Sequence, residues 1–310
     1  MKKSNIVYSI ILNETAATIM SDHIISTNHI QLNYVDYEAE GRPTLIMLHG
    51  ITANAHAFDG LVKHGLNDYF HLVSVDLRGR GQSDKPAFGY AMADHARDII
   101  GLLDHLGIEK ATLCGHSFGG LLSAYLAANY PDRVAGIILL DAAAELNPLA
   151  TRMLTPVFSR LGNTYPSFEA FLDTMKKAPQ NTFWEDVMES YYAADVHPNR
   201  DGSVSTNSNL ANIMAVAMGV VSVSWSYIFE KVQQPAMLIN AIDPYTLGEV
   251  LLPGYKAMET VAMMQQAEYA TVNGNHQTML YGDNAQKVVA HILRFWKKHQ
   301  AVLSQEHSLA

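Results

Sequence analysis

Short apolar runs that alternate with helical segments constrain the fold of this chain more than any other feature. The runs lie at residues 44–48, 70–75, 111–114, 134–140 and 236–242. Runs without polar alternation fit strands that are covered on both faces, as in a parallel sheet. Between and after them, residues 90–106, 121–130 and 287–298 carry apolar side chains at helical spacing. This alternation predicts an α/β fold with a mostly parallel, doubly wound sheet.

The alternation is preceded by a hairpin pattern and is interrupted once. Residues 23–26 and 30–37 flank a short polar turn and predict an opening β-hairpin. Between Asp141 and about Phe229 we find helical patterns but no convincing strand, and Thr182 with Glu185 suggests a capping box at the start of one helix. A long helical insertion in such a chain predicts a lid over one end of the sheet.

These patterns divide the chain into three parts. We predict a core formed by residues 23–142 and 230–310, a helical cap at residues 143–229 and an N-terminal extension at residues 1–22. The extension begins with two lysines followed by an apolar run at residues 6–12, which is at the lower limit for a secretory signal. No later segment has 18 consecutive apolar residues, so we expect no membrane-spanning helix and no membrane partner. We expect a cytoplasmic location, with a signal peptide as the alternative.

The composition excludes several classes of function. Of the 310 residues, 48% are hydrophobic and 16% are charged, which is enough apolar material for a large buried core. The formal charge of −9 argues against a nucleic-acid partner, because phosphate binding needs clustered Lys and Arg. The single cysteine, Cys114, excludes a disulfide scaffold and a zinc site built from cysteines.

The sharpest local signal is Gly-His-Ser-Phe-Gly at residues 115–119. It follows the strand-like run at 111–114 and precedes the helical segment at 121–130, which is the strand–turn–helix setting of a nucleophile elbow. Side chains two positions before and after the serine would collide with neighbouring backbone, so both positions need glycine. Ser117 would then lie at a helix N-terminus, where the dipole favours developing negative charge. We therefore identify Ser117 as the candidate nucleophile.

Further motifs follow in a fixed order. They are His49-Gly50, the run Asp-Leu-Arg-Gly-Arg-Gly-Gln-Ser-Asp at residues 76–84, Leu140-Asp141, Asp243-Pro244 and Gly274-Asn275-His276. Together with the elbow, this set resembles the α/β-hydrolase superfamily from about residue 23 onwards. Within it, the set resembles the group of carboxylesterases, meta-cleavage C–C hydrolases and cofactor-free haloperoxidases. The resemblance implies the α/β-hydrolase fold with a helical cap and a reaction that needs neither cofactor nor metal. Epoxide hydrolases and haloalkane dehalogenases attack with aspartate, so Ser117 argues against both.

A serine hydroxyl needs an adjacent base, which a carboxylate holds in the right tautomer. In this superfamily the chain order is serine, acid, histidine. The resemblance places the base at His276, in the loop before the final helix. For the acid we prefer Asp243, which follows the run at 236–242, and the rival is Asp141 at the end of the preceding strand.

The resemblance also implies an oxyanion hole and leaves the substrate pocket open. The backbone N–H groups of Phe118 and Ile51 are the expected oxyanion donors. Candidate pocket residues are His116 within the elbow and Arg152 and Trp225 within the insertion. Arg152 could hold a substrate carboxylate if it points inward; a solvated helix arginine is the alternative.

The preferred interpretation is a serine hydrolase that cleaves a small carboxylic ester through an acyl-enzyme. Its substrate is expected to be a small molecule with an apolar acyl or alkyl part. Two alternatives use the same residues: a C–C hydrolase of ring-cleavage products, and an amide hydrolase, because residues 49–53 and 58–61 resemble a hydrolase of vitamin B6 breakdown. A ligand receptor built on a hydrolase frame is a third. The sequence is compatible with a homodimer.

Overall fold

One large sheet organises the chain in the computed structural model, which describes residues 7–8 and 20–303. The strands are β1 (Val7–Tyr8), β2 (Met20–Thr27), β3 (Ile30–Tyr37), β4 (Thr44–Leu48), β5 (His71–Val75), β6 (Ala111–His116), β7 (Val134–Leu140), β8 (Thr164–Tyr165), β9 (Val196–Pro198), β10 (Val204–Thr206), β11 (Ala236–Ala241) and β12 (Ala267–Val272). The helices are α1 (Asp59–Lys63), α2 (Met92–His105), α3 (Phe118–Asn129), α4 (Ala150–Met153), α5 (Thr155–Phe158), α6 (Phe168–Lys176), α7 (Met188–Ala194), α8 (Leu210–Val221), α9 (Trp225–Glu230), α10 (Gly254–Met263) and α11 (Gly282–Leu303). Short 3-10 turns lie at Ala55–Phe58, Leu66–Asp68, Pro131–Arg133 and Thr278–Leu280.

The nine-stranded sheet has the order β1-β2-β3-β5-β4-β6-β7-β11-β12. The pairs β1–β2, β2–β3 and β3–β5 are antiparallel, which confirms the predicted opening hairpin. From β5 to β12 every neighbouring pair is parallel. The carboxyl ends of these parallel strands therefore meet at one edge, where open α/β sheets bind their ligands. The predicted fold class is confirmed.

Both faces of the sheet are covered, which explains the uninterrupted apolar runs. Alternate side chains of β4 enter two different apolar clusters. Leu45 packs in a cluster with side chains of α1 and α11, and Ile46 packs in a cluster with side chains of α2 and α3. A strand buried on both faces has no polar face to alternate with, so the runs carry no period of two.

The segment between β7 and β11 contains six helices and a small three-stranded sheet, in the order β8-β10-β9. The prediction of no strand in this segment was wrong, because strands of two or three residues are too short to show a periodic pattern. The expected capping box at residues 182–185 is also wrong. The carboxylate of Glu185 instead accepts hydrogen bonds from Lys63 Nζ at 2.6 Å and Gly282 N at 2.8 Å, and α7 begins only at Met188.

The cap segment is hydrogen-bonded to the loops that follow β4 and β12. The three contacts are Arg160 Nη2 to Thr52 O at 2.9 Å, Asn54 Nδ2 to Tyr191 O at 3.0 Å and Asn275 Nδ2 to Gln180 O at 3.0 Å. Further hydrogen bonds join the cap to other parts of the core, among them those of Glu185 and the contact of Ser190 in α7 with the carboxylate of Asp59 in α1. The cap therefore lies over the carboxyl edge of the sheet and is fixed to two of its loops.

Asp59 also binds His56, and this pair predicts a loss of stability at alkaline pH. Burial alone would lower the pKa of His56, but Asp59, with its carboxylate 3.0 Å from Nδ1, raises the pKa to about 9. The unfolded value is about 6.5. Since the folded pKa is the higher one, the stabilisation is complete below pH 6.5 and is lost as the pH rises through 9. We expect His56→Gln to lower the free energy of unfolding by about 2–3 kcal/mol near pH 6.5, and the difference from the wild type to vanish by about pH 10.

Urea unfolding curves of the wild type and His56→Gln at both pH values measure this difference. The matched control is His105→Gln, since His105 is exposed at the end of α2. A His56→Gln deficit of equal size at both pH values would contradict the assignment.

Residues 1–6, 9–19 and 304–310 lie outside the described residues. Most of the predicted N-terminal extension, and the alternative signal peptide with it, falls there. Residues 20–22, which were assigned to the extension, belong to β2. Among the helices of the described part, none combines the length and apolar character needed to cross a bilayer.

Candidate active site

Ser117 occupies a sharp turn between the end of β6 and the start of α3. Its backbone angles are φ 53° and ψ −117°, a strained conformation for a residue with a side chain. The turn brings backbone very close on both sides. A Cβ added to Gly115 would lie 2.1 Å from the Gly119 carbonyl oxygen, and one added to Gly119 would lie 1.8 Å from that of Leu48. Both positions therefore require glycine, as the sequence pattern predicts for a nucleophile elbow.

The carboxylate beside the imidazole of His276 belongs to Asp141. His276 Nδ1 lies 2.7 Å from Asp141 Oδ2. The other carboxylate oxygen, Oδ1, accepts hydrogen bonds from Asn240 Nδ2 and Ala241 N, both at 2.9 Å. Asp141 follows β7 directly and has a positive φ of 50°. Three groups therefore contact the Asp141 carboxylate: Asn240 Nδ2, Ala241 N and the imidazole of His276.

Our preference for Asp243 as the acid does not agree with this geometry. Asp243 is exposed, and its Oδ2 accepts a hydrogen bond from Gly274 N at 2.7 Å. Its own backbone N–H donates to Gly274 O at 3.0 Å. Asp243 thus fastens the start of the loop that carries His276, and the rival carboxylate, Asp141, contacts the ring.

The ring of His276 is packed between two other rings at the carboxyl edge of the sheet. His116 lies with its ring centroid 4.6 Å away, and Tyr245 meets the ring edge-on at 5.5 Å. With Nδ1 bound to Asp141, Nε2 is the atom left for a hydroxyl. Ser117 Oγ makes no hydrogen bond within residues 7–8 and 20–303; catalytic contacts are often long before substrate binds.

His116 is neutral and supports the backbone of His276. It is buried, and its Nε2 donates to the His276 carbonyl oxygen at 2.8 Å. Burial, with a smaller effect of His276, lowers the pKa of His116 well below its usual value. The sequence placed His116 in the pocket; in the structure it positions the loop that carries the candidate base.

The loop after β4 lies directly beside Ser117. A Cβ added to Gly50 would be 3.6 Å from Ser117 Cβ, and the hydrogen bond from Ala53 N to Gly50 O closes a turn at 3.1 Å. Neither Ile51 N nor Phe118 N donates to an acceptor in the described part of the chain. Both amides are thus available next to Ser117.

His49 fixes the start of this turn and stays neutral. Its Nδ1 lies 2.7 Å from Gly50 O, and its Nε2 accepts a hydrogen bond from Leu77 N at 3.0 Å. Burial, helped by the charge of Arg80, lowers the pKa of His49 to about 3. A neutral ring with one donor and one acceptor suits both contacts, so His49 braces the turn.

The other two candidate pocket residues are not in contact with these groups. Arg152 is exposed on α4. Trp225 is buried in the apolar cluster that contains α2 and α3, and its Nε1 donates to Val220 O at 3.0 Å. Within residues 7–8 and 20–303 no contact joins either of them to Ser117, Asp141 or His276.

Sequence reasoning missed three residues near the site. They are Asn240, Tyr245 and Arg160. A polar residue within the apolar run 236–242 was a usable signal for Asn240, since a buried amide needs partners. Nothing in the sequence distinguished Tyr245. Arg160 is buried and paired with Asp195 at 3.1 Å, but in the sequence it resembles the exposed Arg152. No group of three or more His, Cys, Asp or Glu side chains in the described segments could hold a metal ion.

Comparisons with known proteins bear on the family and the fold of the chain. A family model described as the alpha/beta hydrolase fold matches residues 43–195. A protein of Mesorhizobium japonicum named 2-(acetamidomethylene)succinate hydrolase is 42% identical over 132 residues, which are 41% of this chain and 46% of the relative. A protein of Acinetobacter baylyi named 3-oxoadipate enol-lactonase 2 is 33% identical over 122 residues, 39% of this chain and 45% of the relative. The matches thus span a little under half the length of these relatives.

The likeness in three dimensions covers much more of the chain. The crystal structure of an E-2-(acetamidomethylene)succinate hydrolase superimposes with a TM-score of 0.77 over 90% of this chain and 99% of that one, at 24% sequence identity. At this identity the match shows the fold. The sheet order, the order of motifs along the chain and these matches together show that the chain belongs to the α/β-hydrolase superfamily.

Proposed function

We propose that the protein is a serine hydrolase that cleaves a small carboxylic ester with an uncharged acyl part. The observation that supports this most directly is the 2.7 Å contact between His276 Nδ1 and Asp141 Oδ2, at the sheet edge where Ser117 occupies its strained turn. A hydroxyl, an imidazole and a carboxylate in this order are the parts that nucleophilic acyl transfer needs.

In the proposed reaction Ser117 Oγ attacks the acyl carbon while His276 Nε2 takes the hydroxyl proton. Asp141 keeps the other ring proton on Nδ1 and stabilises the imidazolium. The amides of Ile51 and Phe118 donate to the oxygen that gains negative charge. The proton on Nε2 then passes to the leaving alkoxide. His276 Nε2 then takes a proton from water, whose oxygen attacks the acyl carbon, and the bond from that carbon to Ser117 Oγ breaks. The proton on Nε2 passes to Ser117 Oγ, which restores the serine and releases the acid.

The charges of the cap support an uncharged acyl group. The cap has five lysine and arginine side chains between residues 143 and 229. Arg152, Lys176, Lys177 and Arg200 are exposed. Arg160 is the buried one, and Asp195 neutralises it at 3.1 Å. A substrate carboxylate in the site would need an unpaired cation, and no buried cation of the cap meets that need.

A second candidate is hydrolysis of an acylated enamine. The 42% identity to the Mesorhizobium relative favours it, since that relative's name describes an acetamido compound of succinate. The Acinetobacter relative is named as a lactonase, and a lactone is a cyclic ester, so the relatives support both reactions. The paired state of Arg160 favours the ester, because a succinate derivative carries two carboxylates.

A substrate panel separates these functions. We expect kcat/KM on p-nitrophenyl acetate or butyrate to exceed that on the p-nitrophenyl monoester of succinate by about 100-fold, since an unpaired buried carboxylate costs several kcal/mol. We expect lower values still on an acetamidomethylene dicarboxylate and on a dienoate ketone. A dicarboxylate enamide as the best substrate would replace the ester proposal, and a dienoate ketone as the best would indicate a C–C hydrolase.

Labelling identifies the nucleophile independently of the substrate. We expect a fluorophosphonate to modify the protein once, with the adduct on Ser117 in the peptide map, because Ser117 occupies the strained turn beside Gly50 and is the proposed nucleophile. Pre-incubation with a slowly hydrolysed ester should slow the labelling. An adduct on any other residue would contradict the assignment.

A further inference from the structure

We propose that Arg160 is a positioning residue, through which the cap holds the Gly50–Ala53 turn so that the Ile51 amide can donate to the oxyanion. This inference rests on the proposed function and adds to it a residue that touches neither the substrate nor the reacting atoms. It assigns the cap a part in catalysis besides covering the site.

Three hydrogen bonds hold the guanidinium of Arg160 in one orientation. The side chain is buried, and each of its three nitrogens donates a hydrogen bond. Nε binds Asp195 Oδ2 at 3.1 Å, Nη1 binds Val157 O at 2.8 Å and Nη2 binds Thr52 O at 2.9 Å. The first two contacts lie within the cap and orient the guanidinium plane. The third crosses to the core.

The hydrogen bond that crosses to the core, from Arg160 Nη2 to Thr52 O, reaches the turn one residue after Ile51, whose N–H is the proposed oxyanion donor. Thr52 follows Ile51 directly, and both are central residues of the turn closed by Ala53 N and Gly50 O at 3.1 Å. The 52–53 peptide carries both Thr52 O and the Ala53 N–H that donates to Gly50 O, and Gly50 O shares its peptide with the Ile51 N–H. Rotation of the 52–53 peptide would therefore break the hydrogen bond that orients the peptide of the Ile51 amide. Thr52 is itself buried, so its carbonyl oxygen would lose its partner if it turned away from the guanidinium.

The turn has a second brace, which allows the role of Arg160 to be separated from folding. His49 Nδ1 and Ala53 N both contact Gly50 O at the other end of the turn. Asn54 Nδ2, one residue beyond the turn, binds Tyr191 O at 3.0 Å. Loss of Arg160 should therefore leave the turn in place but widen the range of orientations of the Ile51 amide.

The same contacts argue against a direct role of Arg160 in holding substrate. Its positive charge faces Asp195, which is buried beside it. A ligand carboxylate would have to compete with this buried carboxylate for the charge of the guanidinium. The guanidinium is thus engaged before any substrate arrives.

The test compares an ester with its thiono analogue, in which sulfur replaces the carbonyl oxygen. Sulfur is a weak hydrogen-bond acceptor, so the thiono ester gains little from oxyanion donors, while the oxo ester depends on them. We expect Arg160→Gln to lower kcat for p-nitrophenyl acetate about 10- to 100-fold and kcat for the thiono ester less than threefold, with KM for both changed less than threefold. The ratio of kcat for the oxo ester to kcat for the thiono ester should therefore fall at least about threefold.

Two further variants complete the experiment. Arg160→Lys keeps the charge opposite Asp195 but cannot make three directed contacts, so the ratio of kcat for the oxo ester to kcat for the thiono ester should also fall. If Arg160→Gln does not fold, the ratio measured with Arg160→Lys tests the positioning role. Arg200→Gln removes an exposed cap arginine and should leave both rates unchanged. An equal loss on both esters, or no loss on either, would overturn the inference. If Ser117→Ala abolishes turnover while the Arg160 variants keep the wild-type ratio, the positioning role fails and the proposed function stands.

Discussion

Ser117→Ala is expected to lower kcat for ester hydrolysis by about 10⁴- to 10⁶-fold, because removal of a serine nucleophile leaves only binding and oxyanion stabilisation. The fold should be unchanged. Ser117 Oγ makes no hydrogen bond within the described residues, and alanine keeps the same Cβ at the strained φ of 53°. The variant should also fail to react with a fluorophosphonate.

Steady-state kinetics with a thermal unfolding curve measure both effects. The matched control is Ser159→Ala, an exposed serine of the cap, which should keep wild-type kcat. Turnover by Ser117→Ala within tenfold of the wild type would exclude Ser117 as the nucleophile and, with it, the acyl-enzyme. Tight ligand binding by a variant and a wild type that both lack turnover would instead favour a receptor.

The second large effect is expected at Asp141. Asp141→Asn should lower kcat by about 10⁴-fold, because an amide can donate toward Nδ1 and so favours the wrong imidazole tautomer. Asp243→Asn should lower kcat less than about tenfold, since an asparagine carbonyl oxygen can still accept the hydrogen bond from Gly274 N. The two substitutions are chemically identical, so each serves as the control for the other.

Asp141 also accepts a hydrogen bond from Ala241 N at 2.9 Å, so the unfolding free energy of both variants must be measured beside the kinetics. The asparagine oxygen can keep this contact, which should preserve the fold. A large loss at Asp243 with a small loss at Asp141 would restore Asp243 as the acid.

The sequence alone could not decide which of these two carboxylates contacts His276. One follows β7 and the other follows β11, and these strands are neighbours in the sheet, so both carboxylates lie at the same edge. The deciding features are a backbone φ of 50° at Asp141 and the backbone pairing of Asp243 with Gly274. Neither leaves a trace in residue type or spacing.

The sheet and the turn at Ser117 could be predicted because each requires particular residue types at particular positions. Strands buried on both faces need continuous apolar runs, and the turn at Ser117 needs Gly115 and Gly119 because backbone passes within 2.1 Å of where their Cβ atoms would lie. The cap has no comparable requirement for particular residue types that a sequence pattern could reveal. Its strands are two or three residues long, and burial distinguishes Arg160 from Arg152 only after the chain has folded.

The attachment of the cap has a consequence for how substrates enter. The cap is hydrogen-bonded to Thr52, Asn54 and Asn275, on the loops that follow β4 and β12. Rotation of the whole cap away from the sheet as a rigid body would break all three hydrogen bonds and displace the loops that carry Ile51 and His276. Substrates should therefore enter through a permanent opening of fixed width between the cap and the core. The turnover of esters with longer or branched acyl chains should fall abruptly once the acyl chain is wider than that opening.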